Sequence, residues 1–134
     1  MSVQSRIRYT VPADIQTVWR TVTSLTDYAW RSDLAKIERL DDTQFIEHTQ
    51  SGSATLFRIT QTQPPHLWAF DMENDYFSGH WTGRFTALDD NRTELDFAED
   101  ITLKKRLPRW LVKFYLYRQQ QRYRRDLCRK LQNV

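Results

Sequence analysis

Glu99 has the setting in this 134-residue chain that most invites chemistry. In RTELDFAEDITL (92–103), Leu95, Phe97, Glu99, Ile101 and Leu103 recur at every second position, which puts them on one face of a strand. A carboxylate on an otherwise apolar face has its pKa raised by desolvation unless it is paired, and it can then exchange a proton near neutrality. The more ordinary outcome, and the one preferred from the sequence, is that a bulge or the strand's end turns Glu99 outward or against an Arg of the last helix. Tyr117 and Gln121, seven and eleven residues after Trp110, are candidates to orient a polar group of a ligand. Ordinary hydrogen bonding inside a core is an equal alternative for both. His48, His66 and His80 fall on three separate predicted strands or turns, without His-x-His or i,i+4 spacing, so no metal site is expected. Cys128 is the lone cysteine, which rules out an intramolecular disulfide and zinc-type spacing. With no Ser-His-Asp grouping, phosphate-binding Gly loop or dinucleotide fingerprint, no cofactor is expected either.

The elements that must position these residues are read from periodicity and turn chemistry. Val3, Ile7 and Tyr9 alternate with polar residues in a first strand, 3–10. Pro12 and Asp14 suit the opening turn of a helix, and Ile15, Val18, Trp19, Val22 and Leu25 lie along one apolar face of it. DYAWRSDL (27–34) reads as a short second helical turn. Six strands follow, at 34–40, 44–50, 53–63, 66–74, 77–88 and 92–103, separated by Asp-Asp, Ser-Gly, Pro-Pro, Asn-Asp and Asp-Asp-Asn breaks. Connections this short require antiparallel pairing. A last helix runs from about 107 to 131. The class is therefore α+β in the order β-α-α-β(5–6)-α, in a single domain over 1–134, with one curved antiparallel sheet.

The last helix is the ambiguous element. Trp110, Phe114, Tyr117, Gln121, Arg124, Cys128 and Leu131 make one 4–3 walk, and Leu116, Gln120, Tyr123 and Leu127 make its neighbour. The sequence reading turns the side bearing Trp110, Phe114, Tyr117, Leu127 and Leu131 inward. Gln120 and Gln121 interrupt that seam, and an unpaired buried amide costs about 1–3 kcal/mol. They therefore mark a point where the core gives way to solvent or to a cavity. The charge balance is equally divided. Residues 104–134 hold eleven Lys/Arg and one acid, Asp126, whereas residues 1–103 hold nine bases and sixteen acids. A basic helix against an acidic body fits intramolecular packing, and it also fits contact with an anionic surface.

The order of elements, with VPADIQTVWRTVTSLTDYAWRSDLAKIERLDD, TQTQPPHLWAF and GHWTGRFTALDDNRTELDFAEDITLK, resembles the START-like superfamily (SRPBCC, Bet v1-like), and within it the polyketide cyclase/dehydrase and lipid-transport branch. The features carrying the resemblance are Pro12, Ala13, Val18 and Trp19 of the first helix, Trp30 and its polar turn, the Pro64-Pro65 hairpin, Trp81-x-Gly83-x-Phe85 and Thr93-x-Leu95. The resemblance implies a helix-grip fold, in which the sheet wraps the last helix around a cavity for an apolar molecule, and it brings no shared catalytic motif. Under it, Trp68, Phe70, Trp81, Phe85, Phe97, Glu99, Trp110, Phe114, Tyr117 and Gln121 are the expected ligand contacts, with Gly83 leaving room among bulky rings.

Three readings follow. The first is binding of a small hydrophobic or amphipathic molecule (lipid, polyketide or isoprenoid-like) for transport, sequestration or sensing. The second is a polyketide cyclase or aromatase acting through general acid/base groups, with Glu99 the weak catalytic candidate. The third is transient contact of the basic helix with an anionic membrane. Nucleic acid is not an expected partner, since neither a recognition-helix turn nor an RNA-binding strand motif is present. The N-terminal residues have no apolar leader core and no stretch matches a membrane span, so a cytoplasmic location is expected.

Overall fold

The computed structural model describes residues 2–132. Its elements are β1 (Ser2–Val11), α1 (Ile15–Thr23), β2 (Leu34–Arg39), β3 (Gln44–Thr49), β4 (Ala54–Gln63), β5 (Leu67–Glu73), β6 (Phe77–Asp89), β7 (Arg92–Leu103) and α2 (Arg109–Gln132). The strands form one antiparallel sheet in the order β1-β7-β6-β5-β4-β3-β2. From β2 to β7 every neighbour in space is a neighbour in sequence, as short turns dictate. Only β1 pairs across the chain, with β7, placing Ser5 opposite Glu99 and Val3 opposite Ile101. Segment 12–33 thus carries the chain from one sheet edge to the other.

Helix α1 begins because the Asp14 side chain accepts a hydrogen bond from the Thr17 N–H at 3.1 Å, satisfying one of the amides a helix start leaves free. Asp14 is therefore the cap, and Pro12 lies ahead of the first turn. Val18, Trp19 and Val22 are buried, and the Trp19 ring meets Phe85 edge-on at 5.1 Å. Thr93 fixes the start of the helix from below: fully buried, it donates its hydroxyl to the Ala13 carbonyl at 2.8 Å. After Thr23 the backbone is extended at Ser24, whose hydroxyl accepts from the Asp27 N–H at 2.9 Å. Segment 27–34, expected as a short helical turn and connection, makes turns into β2: the Arg31 N–H donates to the Tyr28 carbonyl at 3.0 Å, and the Ser32 N–H is taken by α2 as described below.

Helix α2 buries Val112, Leu116, Leu127 and Leu131, with Gln120 and Tyr123 half-buried on the same side. The expected inward side therefore holds at Leu127 and Leu131 and is corrected in the first half of the helix, where Val112 and Leu116 turn inward. Trp110, Phe114 and Tyr117 are 71%, 53% and 58% exposed and project away from the sheet. The C-terminal half of the helix explains this. There the apolar residues are Tyr123, Leu127 and Leu131, and a straight helix extends that stripe back through Gln120, Leu116 and Val112.

Candidate functional site

Six strands contribute a continuous row of rings to the concave face. Phe45 (β3) stacks on Phe57 (β4) at 4.9 Å, Phe57 meets Phe70 (β5) edge-on at 5.0 Å, and Phe70 stacks on Trp81 (β6) at 4.7 Å with planes 8° apart. Trp81 then lies 4.8 Å from Phe97 (β7), and Phe97 meets Tyr9 (β1) edge-on at 6.1 Å. These six rings line a cavity of about 1390 Å³ between the sheet, segment 24–33 and the middle of α2. It opens where the lining residues become exposed, at Gln50 and Ser51 on one side and, on the other, at Ser32 and along α2 from Tyr115 to Arg125.

Gly83 makes this ring row possible, although the space it leaves is not ligand space. A Cβ there would collide with Trp81 Cη2 and would stand 2.8 Å from Trp81 Cζ3 and 3.1 Å from Phe97 Cε1. The indole of Trp81 leans along its own strand over Gly83, and that position allows its stack with Phe70.

Two polar groupings interrupt the apolar lining. The first is Glu99. No bulge turns it out: it sits in register opposite Ser5 and Trp81 and borders the cavity, contrary to the outward placement preferred from the sequence. Its partner is the side chain of Gln120, which donates at 3.2 Å to Glu99 Oε1 and at 2.8 Å to Ser5 Oγ, and not an Arg. Burial pushes the carboxyl up to about 6, against the smaller opposing effect of the Gln120 amide. Such a group changes protonation close to physiological pH.

The second grouping is Arg31 with Glu47 and Asp33. Arg31 donates to Glu47 at 2.8 Å through Nη1 and to Asp33 at 3.1 Å through Nη2, and its guanidinium lies over the Tyr123 ring at 5.2 Å. Burial alone would lower its pKa, but the two carboxylates outweigh that and shift it upward. Its Nε is buried without a hydrogen-bond partner, as is the Tyr9 hydroxyl, and both residues line the cavity. Burial also drives the Tyr9 and Tyr123 phenols upward, so both stay neutral.

The segment carrying Arg31 is tied to α2 by the one acid of the basic tail. Asp126, 2% exposed, accepts from the Ser32 N–H at 2.8 Å and from the Ser32 hydroxyl at 2.7 Å. Arg122 adds donations to Ser32 Oγ at 2.8 Å and to its carbonyl at 3.2 Å. Trp30, from the same segment, meets Tyr123 edge-on at 5.4 Å.

Of the residues singled out from the sequence, Trp68, Phe70, Trp81, Phe97, Glu99 and Gln121 line the cavity, and Tyr117 stands at its mouth. Phe85 does not: it is buried beneath Trp19. Trp110 and Phe114 point to solvent for the helix-phase reason given above. Arg58 and Arg84 face outward opposite Asp71 and Asp96, as strand alternation requires. Those carboxylates are instead held by His80, at 2.7 Å from Asp71, and by Arg6 and Arg8 on Asp96. His48 likewise lies against Glu38 at 3.1 Å. Among the described residues, no three His, Cys, Asp or Glu side chains converge as metal ligands would. Sequence reading missed Tyr9, Arg31, Glu47 and Tyr123. The available signal was the alternation that puts Tyr9 inward on β1 and the place of Tyr123 in the second helical row.

A seven-stranded antiparallel sheet curved around a long terminal helix, with a ring-lined cavity between them, defines a helix-grip protein of the START-like, Bet v1-like class. The model of the family described as "Polyketide cyclase / dehydrase and lipid transport" matches residues 2–134, and the chain belongs to that family. Similar solved structures include a START superfamily protein from Mycobacterium smegmatis (TM-score 0.83, 14% identity, 98% of this chain and 97% of that one). The Zhui aromatase/cyclase from Streptomyces is also similar (TM-score 0.85, 15% identity, 98% and 94%), as is a conserved protein from Geobacillus kaustophilus (TM-score 0.86, 9% identity, 98% and 96%). Identities this low establish a shared fold. No curated protein sequence matches the chain. The family spans carriage of apolar molecules and cyclisation, and membership alone does not choose between them. No helix among the described residues is long and apolar enough to cross a membrane.

Proposed function

We propose that this chain holds one amphipathic molecule in the cavity, for transport, sequestration or sensing. The observation that carries this reading is the continuous row of rings flooring a cavity of about 1390 Å³, interrupted on its lining by the buried Glu99 carboxyl and its Gln120 partner. The matching guest is mainly apolar, with a polar group that can meet Glu99. The test is native mass spectrometry of the gently purified protein, combined with titration of a fatty acid and an isoprenoid alcohol followed through Trp68 and Trp81 emission. A bound mass or saturable quenching is expected. Unligated protein together with no saturable response to either probe would refute the reading.

Glu99 favours a second reading, an aromatase or cyclase. A carboxyl near pKa 6 facing the cavity can remove a proton from the carbon between two carbonyls of a poly-β-ketone. The resulting carbanion would close on another carbonyl, whose alkoxide takes the proton back from Glu99. Removal of the remaining proton from the same carbon by Glu99, and its return to the departing hydroxyl, would then release water. Gln120, as hydrogen-bond donor, would orient the carboxylate. Incubation with a β-polyketide analogue separates the readings. Cyclisation that falls about 10²–10⁴-fold in Glu99→Gln, with binding retained, supports catalysis; binding without turnover supports carriage.

A further inference from the structure

The first two turns of α2 are apolar on both sides. Val112 and Leu116 are buried on the sheet, while Trp110, Leu111, Phe114, Tyr115 and Tyr117 on the other faces are 71%, 39%, 53%, 58% and 58% exposed. Leu107, 42% exposed, continues the patch into the β7–α2 connection. Tyr76 joins it from the β5–β6 turn, where Lys105 lies over its ring at 4.6 Å. A surface helix normally carries one apolar stripe and a polar opposite face, so this outward stripe has no partner within the fold. Exposed Lys105, Arg106, Arg109, Lys113 and Arg118 surround it, and residues 104–125 contain no acid. The acids nearby are on the β5–β6 side: Glu73, 3.7 Å from Lys104, and Asp75.

We infer that this face, from Leu107 to Tyr117, docks on an anionic lipid surface, inserting Trp110, Leu111 and Phe114 below a ring of Lys and Arg. Three observations select that occupant. Amphipathic rings and long basic side chains are the groups that partition to the boundary between lipid headgroups and acyl chains. The helix face is convex and offers no groove for a peptide. A second copy of this chain, docked patch to patch, would set the same five cations against themselves. The placement also has a geometric consequence. Tyr115, Tyr117 and Arg118 belong both to the apolar face and to the mouth of the cavity, so docking would bring that mouth to the lipid surface.

The test is vesicle flotation of the full chain with phosphatidylcholine vesicles and with equimolar phosphatidylcholine–phosphatidylserine vesicles, at low and high salt. Binding is expected to the anionic vesicles, weakening with salt, with a blue shift of Trp110 emission. Trp110→Ser with Phe114→Ser should lower partitioning at least about tenfold. Arg109→Glu with Lys113→Glu should abolish the preference for anionic lipid. All four side chains are exposed, so circular dichroism and melting should match the parent, and guest binding in the cavity should persist in both variants. The inference is overturned by absence of binding to either vesicle, or by binding indifferent to both variants. It is equally overturned if the double Ser variant dissolves a solution dimer, or if the parent binds single-stranded RNA but not vesicles.

Discussion

Replacing Glu99 by Gln tests the reasoning about the cavity most directly, because the substitution keeps shape and one acceptor oxygen for Gln120 and removes the titrating charge. In the folded chain burial raises this carboxyl to about 6 from its ordinary 4.5. Between those values the folded state holds the proton more tightly than the unfolded one, so stability declines as pH rises through the window. Above about pH 6 the full penalty applies, and at about 1.4 kcal/mol for each pH unit of difference it amounts to about 2 kcal/mol. The Gln variant does not titrate. The stability of Glu99→Gln relative to the parent should therefore grow by about 2 kcal/mol between about pH 4 and about pH 7, whatever constant offset the amide introduces. Urea denaturation of both proteins across that range measures it, and other titrating groups cancel in the difference. A difference that stays flat, or that shrinks as pH rises, would show that Glu99 is solvated or paired with a cation, and it would remove the basis for proton transfer in the cavity.

Asp126→Ala strips the Ser32 amide and hydroxyl of their common acceptor and should cost about 2–3 kcal/mol in urea denaturation. Amide exchange should accelerate across 24–33 ahead of the sheet, and unchanged protection there would mean that this segment is held by other contacts. Gly83→Ala must push the Trp81 indole off Phe70, at a cost of about 1–3 kcal/mol and with a changed near-ultraviolet circular dichroism signal. Parent-like stability and spectra would show that the ring row tolerates a methyl group.

Local chemistry alone determined most of the framework. Strand alternation fixed which residues of β1 and β4–β7 face inward, because a period of two leaves each side chain only two directions. Turn residues set the hairpins, so five strand-to-strand pairings needed no tertiary information, and the limits of α2 came within two residues of 107 and 131. The same alternation put Glu99 on the inner face, although a turn outward was preferred from the sequence because a lone carboxylate among apolar residues is costly to bury. Its partner was not legible, since Gln120 is 21 residues away along the chain and meets it only when α2 crosses β1 and β7.

Three features were decided in three dimensions. The face of α2 was one, because its first turns are apolar all round and give no direction. The helix is rigid, so Tyr123, Leu127 and Leu131 at its far end set the phase for Val112 and Leu116 and left Trp110 and Phe114 outside. The buried ion pair was another: Arg31 sits in an irregular segment, and Glu47 reaches it only because β3 pairs β2 at the far edge of the sheet. The cavity was the third. Its ring floor can be read strand by strand, but its volume depends on how α2 and segment 24–33 close over the sheet, where Asp126 holds Ser32 and Gln120 bridges Ser5 and Glu99. Those contacts join residues 94, 115 and 21 positions apart, and no periodicity in the sequence encodes a separation of that kind.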